Sequence, residues 1–217
     1  MAIDSTQAAI TTFRDQISKV GWRHLASNIG VAFLFFLTLF QTQLDYGSSL
    51  ANWIWLGGAA LMGVLVLVRV PPRSSMVTAS TLLATGVSIV LPALIHPERP
   101  SHGLLAGAAI VVELCGVTLG QVGRIYLGRR FALLPADRGI VTNGPFRFVR
   151  HPIYAGWLIL SIGYVMAFPT IRNGLIIMVT LPFILWRCLQ EEALLSGDPN
   201  YCDYLARTRW RLVPGIY

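Results

Sequence analysis

An all-α integral membrane protein with about six transmembrane helices is the fold the sequence predicts, and three observations predict it. Of 217 residues, 54% are hydrophobic and only 12% charged, against roughly 25% charged in soluble domains, and the mean hydropathy is +0.61. The ionisable residues divide the chain into six long apolar runs. The basic residues fall almost entirely on alternate connecting segments, as they do in multi-pass membrane proteins.

The first 24 residues precede these runs. Asp4 and Asp15 stand where a cleaved signal would carry basic or apolar residues, and no apolar stretch leads to a small-residue cleavage site. Ile3, Ile10, Phe13, Ile17 and Val20 recur at helical spacing, which reads as an amphipathic arm on the inner surface. A polar tail is the competing reading. The runs are 25–44, 46–68, 74–95, 103–123 (broken only by Glu113), 152–171 and 173–186, the last continuing through Arg187 into Cys188 and Leu189. Each is compared with the ~20 apolar residues that cross a hydrocarbon core of about 30 Å.

Six spans bring both termini to one side. With that side cytoplasmic, the inner segments hold Arg14, Lys19 and Arg23, then Arg69 and Arg73, then Arg124, Arg129, Arg130, Arg138, Arg147 and Arg150, and finally Arg187, Arg207, Arg209 and Arg211. Only Arg99 and Arg172 of the 17 basic residues fall outside. The net charge of +7 is thus a basic inner face set against anionic headgroups, with membrane lipids rather than nucleic acid as the expected partner. A bacterial inner membrane is the expected location. Cys115, Cys188 and Cys202 offer no paired disulfide framework and read as packing residues.

One membrane domain spans 1–217, divided into the arm (1–24), four anchoring spans (25–123) and a polar half (124–217) with an inner loop, two spans and a tail. The first three spans carry no acid or base. Function is therefore expected from Glu113 onward. Two readings stand for Glu113: a carboxyl group serving a site, as intramembrane acids commonly do, or a protonated group hydrogen-bonded between helices beside the small residues Gly116 and Gly120.

The loop 124–150 is punctuated by Pro135, Gly139, Gly144 and Pro145, which argues for defined turns. In Arg150-His151-Pro152, proline at a first helical position starts the fifth span with His151 at its cap. The free N–H groups of such a helix start suit an anion. Tyr154, three residues on, shares the face of His151. At the end of the sixth span Arg187 and Glu191 lie four apart on one face, while Glu192 is rotated by about 100°. Pro182 lies one turn before Arg187 and loosens the helix there. A helix-end ion pair at the headgroup boundary is the competing reading of this cluster.

These motifs together, Leu127-Gly-Arg-Arg-Phe131, Gly139-Ile-Val-Thr-Asn-Gly-Pro-Phe146, Arg150-His-Pro-Ile-Tyr154, Glu191-Glu192 and Tyr201-Cys-Asp-Tyr204-Leu-Ala-Arg207, resemble the isoprenylcysteine carboxyl methyltransferase family. These membrane enzymes also resemble phospholipid methyltransferases. The resemblance implies S-adenosyl-L-methionine as cofactor, held by the last two spans, the inner loop and the tail. By the same resemblance, Arg138, Gly139, Ile140, Val141, Phe146, His151, Pro152, Ile153, Tyr154, Glu191 and Glu192 form the cofactor site, with Glu191 receiving the ammonium group. Arg187 faces a lipophilic methyl acceptor, with Arg207 as a further substrate contact. Phe146 departs from the Tyr usual at its place, so one hydroxyl contact is lost or replaced.

Methyl transfer from a sulfonium is mainly a problem of orientation and of water exclusion, and no metal is expected. A carboxylate acceptor is already ionised and suits a bidentate Arg187. An amine acceptor needs a base, for which Glu113 or a cofactor-facing carboxylate are the candidates. O-methylation is favoured, with phospholipid N-methylation and thiol S-methylation as alternatives. An NADPH-dependent reductase gripping phosphates with the arginine-rich loop, and a non-catalytic membrane protein, are the rivals from other classes.

Overall fold

The computed structural model describes residues 28–30, 33, 50–67, 69–95, 98 and 100–217. The arm expected over 1–24, and nearly all of the first expected span, lie outside the described residues. From there the helices follow the uncharged runs, with informative differences in length.

Helix α1, Leu50–Leu67, holds no charged residue over its 18 positions. The third run was expected to span as 74–95, but Ser74–Ser75 form a short strand β1, and helix α2 covers only Ala79–Val90. Its start is set by a reciprocal cap. Thr78 Oγ1 accepts from the Thr81 N–H at 3.2 Å, and Thr81 Oγ1 accepts from the Thr78 N–H at 2.9 Å, satisfying two donors a helix start leaves free. Pro92 then opens a 3₁₀ turn, Pro92–Leu94. Twelve residues at 1.5 Å each give α2 about 18 Å, short of a ~30 Å hydrocarbon core.

Helix α3, Gly103–Leu127, and helix α5, Ile171–Leu195, are each 25 residues, or about 37 Å. Between them come strand β2, Ala136–Asp137, and helix α4, Pro152–Ala167. Helix α6, Pro199–Arg207, follows α5. Among the described residues, the stretches Gly103–Arg130 and Ile171–Leu195 are long and apolar enough to cross a bilayer, while Leu56–Leu67, Ala79–Val90 and Pro152–Ala167 are apolar but shorter. Two of the six expected spans are thus seen at full length. Their outward faces are apolar: Leu104, Val111 and Ile125 on α3, and Ile171, Leu175 and Met178 on α5, are all more than half exposed. So much uncovered apolar surface belongs against lipid.

Helices α3 and α4 meet backbone to backbone. A Cβ added at Gly116 would lie 2.3 Å from the Leu160 nitrogen, one at Gly156 would lie 2.5 Å from the Gly120 nitrogen, and one at Gly163 would lie 2.7 Å from the Glu113 nitrogen. Only glycine permits this approach, the small-residue packing known between membrane helices. Pro182 leaves the Met178 carbonyl of α5 without its usual helical donor.

The inner loop is tied back to the segment before α2. Strands β1 and β2 pair antiparallel, Ser74 opposite Asp137 and Ser75 opposite Ala136. The N–H groups of Val70, Arg73 and Met76 donate to the carbonyls of Arg129, Asp137 and Pro135 at 2.9, 2.7 and 3.0 Å. At the other end, the tail lies along the start of α4: Arg150 and His151 N–H donate to the Trp210 and Arg211 carbonyls, both at 2.9 Å. Leu212 packs into a core cluster with Ala155 and Cys188.

Candidate active site

A cavity of about 280 Å³ lies where α2, α3, α4, α5, α6 and the inner loop converge. The loop contributes a tight turn. Asp137 Oδ1 accepts from the Gly139 N–H at 2.9 Å, a side-chain-closed turn that only glycine completes here, because φ at Gly139 is +91°. Gly139, Ile140 and Val141 thereby line the cavity, beside Phe146. Phe146 is buried, and its carbonyl accepts from Tyr204 Oη at 2.7 Å. Burial pushes the Tyr204 phenol up to about 12, so it remains a donor.

Proline at the first position starts α4 at Pro152 with His151 at the cap, as the sequence predicts. His151, Pro152, Ile153 and Tyr154 all line the cavity. From α5 come Arg187 and Glu191. Tyr154 Oη donates to Glu191 Oε1, and the Arg187 guanidinium lies 5.4 Å from the centre of the Tyr154 ring, within cation–π reach. Arg187 donates one Nη2 bond to the Leu133 carbonyl at 2.7 Å, while its buried Nε has no partner among the described residues.

Glu192, rotated from Glu191 on the helix, does not line the cavity. Its carboxylate meets Arg150 Nη1 at 3.4 Å, Arg211 Nε at 3.0 Å and His151 Nε2 at 3.2 Å. One buried acid thus joins α5, the start of α4 and the tail. His151 stands between the two glutamates, its Nδ1 3.8 Å from Glu191 Oε2. Glu192 fixes the imidazole without facing the cavity.

Three other expected site residues also lie outside the cavity lining. Arg138 turns away to donate to the Val70 carbonyl. Burial, and to a smaller degree the like charge of Arg69, lower its pKa to about 10. Arg207 is exposed on α6 and bonds the Asp203 carbonyl at 3.3 Å. Glu113 is part of the α3–α4 seam, its Cγ 2.8 Å from the position a Cβ on Gly163 would take.

The cavity also contains residues to which the sequence reading gave no role. Tyr201 and Tyr204, one helical turn apart on α6, were visible as a motif; Arg150 adjoins a predicted site residue; Arg124, Trp157 and Ser88 carried no local signal. Among the described residues, no three His, Cys, Asp or Glu groups converge as a metal site.

Residues 106–197 match the isoprenylcysteine carboxyl methyltransferase family. The chain is 28% identical over 149 residues to protein-S-isoprenylcysteine O-methyltransferase A of Arabidopsis thaliana, covering 60% of this chain and 76% of that protein. These matches support a methyltransferase enzyme with membrane character, similar to that family. It is also 29% identical over 126 residues to the nickel-cobalt-cadmium resistance protein NccN of Alcaligenes xylosoxydans xylosoxydans, covering 56% of this chain and 58% of that protein. A solved structure of the eukaryotic intramembrane Ras methyltransferase aligns with 100% of this chain and 87% of its own at 19% identity, with a TM-score of 0.47. The family match runs from α3 to just past α5. The matched segment therefore includes the glycine seam, inner loop, α4 and both glutamates, while α2 and the tail, which complete the cavity and its support, lie beyond it.

Proposed function

We propose that the cavity binds S-adenosyl-L-methionine and that the protein methylates the carboxylate of a lipophilic acceptor. The observation that carries this reading is the pairing, in one cavity, of an acid presented beside aromatic residues with an arginine whose buried Nε has no partner among the described residues. The volume of about 280 Å³ is close to the ~300 Å³ lower end of small-molecule sites. Glu191 suits the ammonium group of the cofactor, and the main chain of Gly139–Val141 with the rings of Phe146, Tyr201 and Tyr204 suits its flat adenosyl part. When bound, the cofactor supplies a methyl group on a cationic sulfur; the carbon–sulfur bond breaks as a carbon–oxygen bond forms, and sulfur keeps the electron pair.

The chain's own work is positioning. Tyr154, by donating to Glu191, fixes the acid's direction, and His151, held by Glu192, closes the same wall. Arg187 offers Nε to an acceptor oxygen while its Nη2 is anchored on Leu133, a preorganised arrangement for charge-assisted bonding. An ionised carboxylate requires no base. That favours O-methylation over N-methylation, because Glu191 already accepts from Tyr154 and Glu113 does not line the cavity. The distribution of basic residues puts the termini, and with them the cofactor entrance, on the cytoplasmic side; exposed Cys202 is then labelled by an impermeant maleimide only after the membrane is opened.

The test is product analysis. The full chain is incubated with methyl-labelled cofactor and either N-acetyl-S-farnesylcysteine or a lipid extract, and the products are examined by mass spectrometry. A base-labile methyl ester is expected; label in phospholipid headgroups redirects the reading to N-methylation, and label in neither overturns it.

A further inference from the structure

Away from the cavity, the segment after α1 and the residue after β2 bring two arginines together. Arg69 stands two residues past the end of α1, and Arg138 directly follows β2. Arg138 donates to the carbonyl of Val70, the residue next to Arg69. Arg69 Nε donates to Asn28 Oδ1 at 2.5 Å, and Asn28 donates to the Leu67 carbonyl at 3.2 Å, so the pair is held at the helix end.

Both side chains are concealed. Arg69 is 6% and Arg138 9% exposed, whereas Arg73, Arg129 and Arg130 of the adjoining segments are exposed. An arginine that merely snorkels keeps its head in water. Arg138 Nε is buried without a partner among the described residues, and the neighbouring acid, Asp137, directs Oδ1 to the Gly139 N–H instead. Two guanidiniums side by side in a concealed place are costly, and an anion between them offsets that cost. The surface leading to the pair is apolar: Leu61, Val64 and Leu67 recur every third residue along α1 and are 40%, 55% and 41% exposed. A hydrocarbon stripe ending at two planar cations suited to phosphate has the layout of a phospholipid.

We propose that Arg69 and Arg138 bind the phosphate of an anionic phospholipid whose acyl chain lies along Leu61, Val64 and Leu67. The site is separate from the cavity described above, which neither arginine lines. A lipid held there ties the end of α1 to β2 and the inner loop, at the face where anionic headgroups concentrate.

The experiment measures lipid binding to the full chain in neutral detergent by native mass spectrometry, with phosphatidylglycerol, phosphatidylcholine and inorganic phosphate as probes. Wild type retains one phosphatidylglycerol at least about tenfold more tightly than phosphatidylcholine. Arg138→Gln and Arg69→Gln each weaken that binding about fivefold or more, while Arg147→Gln, which removes an exposed cation of the same loop, leaves it within about twofold. Melting without added lipid checks that each variant is folded; should Arg138→Gln fail to fold, Arg69→Gln and Arg138→Lys carry the comparison, the lysine keeping the charge but losing the fork. Phosphatidylglycerol bound equally by wild type and the folded variants overturns the site, as does an equal loss in Arg147→Gln, which shows only a diffuse basic surface. Equal affinity for the two lipids overturns the anionic preference, and displacement of lipid by equimolar inorganic phosphate overturns the lipid in favour of a free phosphate.

Discussion

Between α3 and α4 the chain makes contact through glycine backbones, whereas between α5 and the tail it makes contact through one carboxylate shared by two guanidiniums and an imidazole. Both junctions hold walls of the same cavity. The seam lies along apolar helices, where shape must hold the walls because hydrophobic burial distinguishes little between lipid and a neighbouring helix. The knot lies at the helix ends, where charges find partners and hydration. The consequence is a division of tolerance: the seam is sensitive to added volume and indifferent to charge, and the knot is the reverse.

The sharpest way to break that comparison is at the seam. Gly156→Leu drives a side chain into the Gly120 backbone, for an expected cost of about 3 kcal/mol or more; melting in detergent should show the loss of cooperative unfolding or a steep fall in Tm, and unchanged melting would show that the helices separate without penalty. At the knot, Glu192→Gln preserves shape and removes the charge facing Arg150 and Arg211, which should cost about 3 kcal/mol measured as the fall in Tm.

The site residues give smaller effects on stability and specific ones on function. Arg187→Lys keeps charge but loses the planar fork. Affinity for S-adenosylhomocysteine should stay within about twofold while kcat/KM falls about 100-fold, roughly 2.7 kcal/mol; turnover within a few-fold of wild type would make Arg187 a helix-end residue only. Glu191→Ala should weaken S-adenosylhomocysteine about tenfold, or 1.4 kcal/mol, read by calorimetry, with Tm nearly unchanged. If the neighbouring glutamates instead give the same pattern, the distinction between a cavity acid and a scaffold acid fails.

What the sequence made legible was local. Pro152 marked the start of α4 because proline suits a first helical position, and Arg187 and Glu191 emerged together on the cavity wall because four residues bring a helix back to one face. The same periodicity separated Glu192 from them, although the family resemblance had placed it with Glu191 in the cofactor site. Hydropathy did not distinguish α2 from the extended residues before it, since Ser74 to Thr78 are as uncharged as a helix interior; the capping box at Thr78 was the available signal. Pairings across the chain, such as Arg150 with Glu192, leave no trace in local pattern. Arg69 looked like one more basic residue on the inner face, and its burial beside Arg138 became visible only when its surroundings did.

The docking of the tail along Arg150 and His151 bears on how the protein is made. Synthesis runs from the N-terminus, so α1 to α5 can enter the bilayer, and β1 can await β2, before residues 208–213 exist. A chain halted before Thr208 has its anchors and both glutamates, but it lacks the Thr208, Trp210 and Arg211 carbonyls that fix the start of α4 and the Arg211 charge on Glu192. On the proposed function, cofactor affinity is acquired only at the end of translation, and a truncated chain occupies the membrane without consuming methyl donor.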